Sequence, residues 1–178
     1  MIIMKMPRAV TFLSWAIAVT LAPLLVASTV SAEIVRIEVD SRSDVAGGMS
    51  YGLAGPYERI AGTIYFAGDP DNASNRSIPD IDFAPRNADG KGEFNSNFFL
   101  IKPKDISRGN GTVFYEVSNR GRKGMLAYYN NASGSRDPRT ADEMGDGFLL
   151  QQGFTLLWLG WQFDPPMREG QMLSLIHI

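Results

Sequence analysis

An α/β sheet with an antiparallel leading edge is the fold class this sequence predicts. It is β-rich over the length present, with leading antiparallel strands and then strand, helix, strand. Three observations carry that reading. Extended segments rich in β-branched and aromatic residues dominate residues 34–117. The first clear helix signal comes later, where Thr140-Ala-Asp-Glu143 matches a capping box. Phe154-Thr-Leu-Leu-Trp-Leu159 then forms a nearly continuous apolar run, the mark of a strand buried on both faces. Strands first and then a strand-helix-strand unit point to a sheet of mixed direction.

Taken in order, Ile34-Val-Arg-Ile-Glu-Val39 alternates apolar and polar residues, as a half-buried strand does. Ser41 to Gly55 is a Gly/Ser-rich connection. Tyr57 to Phe66 fits a pleated surface and ends before the turn residues Gly68-Asp-Pro-Asp-Asn72. Ile78 to Ala84 reads as a short strand, and Asn87-Ala-Asp-Gly90 is turn chemistry. Glu93 to Lys102 is a strand closed by Pro103. Thr112 to Val117 opens after Asn110-Gly111 as a largely buried strand and stops at Ser118-Asn119-Arg120-Gly121. Gly145 and Gly147 shorten or break the helix begun at Thr140, which ends at Gln152 with Gly153 just beyond.

The two ends of the chain differ from its middle. Lys5 and Arg8 precede an apolar run from Ala9 to Ala27, and Ser28-Thr-Val-Ser-Ala32 places small residues where a signal peptidase cuts. Residues 1–32 therefore read as a secretory signal peptide, so the protein is expected to be exported, periplasmic or secreted, and free of the membrane after cleavage. An uncleaved anchor is the competing reading. At the other end, Leu173-Ser-Leu-Ile-His-Ile178 resembles translated read-through of a sequencing adapter. Residues 173–178, with the only histidine, His177, are set aside on that ground, leaving residues 33–172 as the N-terminal part of a truncated domain.

Once Lys5 and Arg8 are set aside, 15 Lys+Arg face 19 Asp+Glu, a mildly acidic balance that suggests neither nucleic acid nor an anionic membrane as partner. The chain has no cysteine, which excludes disulfides, so an exported domain must stand on its core. No cofactor and no metal is expected. Asp69, Asp71 and Asn72 lie close together, but Ala73 and Ser74 fall where a calcium loop needs a ligand and a glycine. Gly145-Asp-Gly147 lacks the third glycine of a dinucleotide fingerprint.

The loop after Val117 is the leading functional candidate, because ligands meet α/β sheets at the carboxyl ends of strands. Three blocks there and elsewhere carry a family resemblance. They are Gly55-Pro-Tyr-Glu-Arg-Ile60; Gly111 to Gly121 with Lys123-Gly-Met125; and Gly145 to Gln162. Together they resemble an exported bacterial family of "alpha/beta hydrolase domain-containing" proteins, whose members are several times longer. The resemblance implies the N-terminal portion of an α/β-hydrolase fold and ester or acyl hydrolysis of a small-molecule substrate. It places the Ser-acid-His triad beyond the end of this chain. The loop after the third strand of that fold supplies an oxyanion-hole N–H, and Asn119, Arg120 and Gly121 occupy it here, departing from the His-Gly pattern of lipases. On the competing reading, Asn119 and Gly121 simply make the turn and Arg120 pairs with an acid.

Gly48-Met-Ser50-Tyr-Gly52 matches the nucleophile-elbow pattern, yet Ser50 is rejected as a nucleophile. An elbow needs a buried strand before the serine and a helix after it, and Asp44 to Gly48 and Leu53-Ala-Gly-Pro56 supply neither. The fragment by itself is expected to be inactive, with an unpaired edge on its last strand, Phe154 to Leu159. An alternative from another class is an exported β-rich binding module without catalysis, presenting aromatics such as Tyr57 or Trp161 to a glycan or a protein.

Overall fold

The computed structural model describes residues 32–176; His177 and all of the expected signal peptide but its last residue, Ala32, lie outside them. The strands are β1 (Ala32–Asp44), β2 (Ser50–Tyr51), β3 (Gly55–Gly68), β4 (Gly92–Pro103), β5 (Val113–Val117), β6 (Thr155–Leu159) and β7 (Ser174–Ile176). Three short helices, α1 (Met125–Tyr129), α2 (Ala141–Met144) and α3 (Phe148–Gln151), all fall between β5 and β6. The main sheet runs β1-β3-β4-β6-β5, with β2 paired to β3 and β7 to β4. Every pairing is antiparallel except β5 with β6, which is parallel.

This architecture corrects the fold class expected from the sequence. The described residues form a β-rich mixed sheet with helices of 5, 4 and 4 residues, not the helix-rich layers of an α/β-hydrolase fold. Glycines explain the brevity of the helices: Gly145 and Gly147 both adopt positive φ and separate α2 from α3. The Thr140…Glu143 spacing does form a capping box at α2. Ile78 to Ala84 contains no strand, only a 3₁₀ turn at Ile81–Phe83.

β3 is the spine of the sheet. It pairs with β1 along one edge and with β4 along the other, from Tyr57↔Pro103 to Gly68↔Gly92. Gly62 permits this: a Cβ there would overlap the Glu38 carbonyl oxygen and the Phe98 ring. Register shifts at Ile34/Arg36 and Val39/Ser41 bulge β1, the outermost strand on that side. Against expectation, β1 is exposed on both faces.

The core lies on one face of the sheet. Tyr57, Phe99, Ile101, Leu156 and Trp158 pack there against Val45, Met125, Leu126, Met144, Leu149 and Leu150 from the connections and helices. The Tyr57 hydroxyl donates to the Leu150 carbonyl at 2.8 Å and to the Phe154 carbonyl at 3.1 Å. Buried Asn130 ties the helices together. Its Nδ2 donates to the Met144 carbonyl (3.1 Å), and its Oδ1 accepts from the Leu149 N–H (3.0 Å).

The opposite face is apolar and becomes uncovered toward β5. By register, Val113, Tyr115 and Val117 share it with Thr155, Leu157 and Leu159. Val113, Tyr115 and Val117 are 54, 42 and 65 % exposed, so β5 is not the largely buried strand its composition suggests. Nor is β6 the sheet's open edge. It lies between β4 and β5, with Leu156 and Trp158 buried and its other side chains half-buried, and the edge falls to β5.

Candidate functional site

The parallel pairing of β5 with β6 brings two chain segments side by side where Val117 meets Leu159. One is Ser118 to Gly121, the candidate loop; the other is Gly160 to Asp164. They are stitched together. The Trp161 indole N–H donates to the Ser118 carbonyl at 2.5 Å. The Arg120 backbone N–H donates to Gln162 Oε1 at 2.6 Å. The Arg120 guanidinium pairs with Asp164, reaching Oδ2 at 2.8 Å and the carbonyl at 3.1 Å. That hydrogen bond from Arg120 holds the Asp164 carboxyl below the usual carboxylate range.

The backbone shape of the loop comes from Arg120 and Gly121, both at positive φ (51° and 69°). At Gly121 glycine is also required by space, since a Cβ would overlap the Met172 backbone, whose N–H donates to the Gly121 carbonyl at 3.2 Å. The Gln171 amide donates to the Arg120 carbonyl. Arg120 and Gly121 are thus engaged by the segment 162–172. Among the described residues, the exposed Asn119 side chain has no hydrogen-bond partner and is left available to a ligand. Ser118 is fully buried, and its hydroxyl has no partner among the described residues.

Two features of this region had no clear signal in the sequence. Glu116 points to the core side of β5 and accepts from the Gly124 N–H (3.0 Å), the Met125 N–H (2.8 Å) and the Trp158 indole N–H. It braces the chain leaving the loop against β6. Lys123, adjacent in sequence to exposed Arg122, is buried. Its ammonium donates to the Arg136 and Gly170 carbonyls (2.8 Å to the latter) and sits 4.4 Å from the Phe99 ring centroid. Burial pushes its pKa down to about 8.

Ser50 stands elsewhere. It is exposed on β2 and pairs with Pro56, roughly six residues along β3 from Gly62, which lies level with Phe98 and Leu159. It is followed by a 3₁₀ turn at Gly52–Ala54. The sheet does not bring it to the 118–121 loop. Asp69 and Asn72 accept from the Asp71 and Ser74 backbone N–H groups, each at 2.9 Å, which makes them turn residues. Among the described residues no cluster of His, Cys, Asp or Glu is arranged to hold a metal, and no helix is long and apolar enough to cross a membrane. No protein-family model, curated protein or solved structure matches this chain.

Proposed function

We propose that this chain contributes to an exported hydrolase of small-molecule esters or related acyl compounds, with the loop 118–121 taking part in substrate binding and Asn119 as its free amide donor. The three sequence blocks that resemble hydrolase-domain proteins support this reading. The observation that carries it is the convergence of the β5 and β6 ends, with Asn119 exposed on a backbone that Gly121, Gln162 and Met172 hold in place. The Asn119 amide can donate to a developing oxyanion, a type of interaction worth about 10²–10³ in rate.

The test compares hydrolysis of short-chain nitrophenyl esters by the protein expressed from its whole open reading frame with hydrolysis by its Asn119→Ala variant. The expected result is turnover that falls about 10²-fold or more in the variant with little change in KM. Folded protein that leaves every ester intact would sink the proposal.

A second reading, a β-rich binding module without catalysis, is favoured by Trp161, which is 53 % exposed, together with exposed Phe163 on the same segment. Tyr57, the other aromatic considered for that role, is fully buried and belongs to the core. Saturable quenching of tryptophan fluorescence by an oligosaccharide, without hydrolysis of esters, would favour this module.

A further inference from the structure

We infer that an open cleft beside α1 binds an oxyanion, a carboxylate or a phosphate, carried on a small organic body. The cleft has a volume of about 620 Å³ and lies between the chain leaving the candidate loop and the segment around Arg136. Arg122, Lys123 and Arg136 line it, with Ser135 and Tyr128, and none of its lining residues is acidic. In a chain of net charge −2 this is a local concentration of positive charge.

Its two arginines are not held in ion pairs. Among the described residues neither Arg122 nor Arg136 has a salt-bridge partner, and the buried Nε of Arg136 has no hydrogen-bond acceptor. Leaving a buried guanidinium N–H unpaired is costly, so the side chain is suited to an incoming acceptor. The acids nearby are already engaged. Glu116 is held by two backbone N–H groups and the Trp158 indole. Asp137 lies between Arg59 (2.6 Å) and Arg139. Glu143 accepts from the Arg139 and Thr140 N–H groups and from Ser135. The Lys123 ammonium is buried behind the wall and spent on the Arg136 and Gly170 carbonyls, so the two arginines carry the site's charge.

Chemistry selects the ligand class. Guanidinium groups offer planar forks that match carboxylate and phosphate oxygens. Tyr128, on the wall, is 82 % exposed, so its ring is free of packing partners over most of its surface. A bare inorganic anion would leave that ring unused, whereas an organic body can pack on it. The inference stands independently of the hydrolase reading.

Isothermal titration of the full chain at about 0.1 M salt, with inorganic phosphate, phenyl phosphate and benzoate as probes, tests it. Saturable binding of phenyl phosphate or benzoate is expected, the tighter of the two identifying the anion. Arg122→Gln, a change at an exposed residue, should weaken that binding about tenfold or more, the effect of losing a charge-assisted hydrogen bond. Arg136→Lys, which keeps the charge but not the fork, should also weaken it. Tyr128→Ala should weaken the aryl probes alone. Arg76→Gln, the same charge change at a remote exposed site, should leave binding intact. Failure of both aryl probes to saturate would overturn the inference. So would an equal loss in Arg76→Gln, or inorganic phosphate binding as tightly as phenyl phosphate.

Discussion

Glu116 and Trp158 are joined side chain to side chain across the parallel pair β5–β6, at the register position where the two residues face each other. The same carboxylate accepts from the first two N–H groups at the start of α1, those of Gly124 and Met125. One side chain therefore links two strands and the chain that leaves the candidate loop.

Removing it leaves three donors without their acceptor. Glu116→Ala is expected to lower stability by about 2–4 kcal/mol, since hydrogen bonds to charged groups are worth about 1.5–3 kcal/mol and buried donors left unpaired are costly. Glu116→Gln keeps one acceptor oxygen and should lose less. Urea unfolding of both variants beside the parent measures the difference; a change below about 0.5 kcal/mol in Glu116→Ala would show that the brace is dispensable.

Lys123 should give the protein an unusual alkaline profile. Its folded pKa is about 8, below the ordinary 10.5 of the unfolded chain. Between those values the unfolded chain holds the proton and the folded one does not, so this group makes stability rise with pH. Below pH 8 its burial cost is present in full. The gain is on the order of 2–3 kcal/mol across the window. Lys123→Met should flatten the stability profile between about pH 8 and 9.5, below the range where the raised hydroxyls of Tyr51 and Tyr57 act in the opposite sense. Calorimetric melting of both proteins across that window checks it.

Gly62 of β3 lies directly against the β1 backbone at Glu38. Gly62→Ala forces a methyl against the Glu38 carbonyl and the Phe98 ring, and overpacking of this kind costs about 1–3 kcal/mol. The loss should concentrate in β1, so hydrogen exchange is expected to rise along Ile34–Val39 before it rises in β4. Uniform exchange throughout the sheet would contradict this.

The two edges of the sheet are guarded unequally. β1 carries bulges with Arg36 and Glu38 among its apolar residues, devices that blunt an edge. β5 has neither a bulge nor a lysine and exposes Val113, Tyr115 and Val117. Val117→Lys should change stability by less than about 0.5 kcal/mol while reducing concentration-dependent light scattering. The same substitution at Val39, on the guarded edge, should do much less.

What the sequence determined by itself was local. The alternation from Ile34, the apolar run from Phe154 and the Thr140…Glu143 spacing set where strands and a capped helix lie, because periodicity and capping act over a few residues. Tertiary structure decided what those elements become. Phe154 to Leu159 reads as a strand buried on both faces, yet whether it is interior or edge depends on pairing with β4, more than fifty residues away. Tyr57 and Trp161 look alike as candidate surface aromatics, and only packing buries the first and exposes the second. Arg120, Arg122 and Lys123 are close neighbours in the sequence. The fold assigns Arg120 to Asp164, Arg122 to an open cleft and Lys123 to the interior, then adds Arg136 to the cleft from a separate segment. Burial and charge pairing are properties of contacts between distant residues, and no local spacing records them.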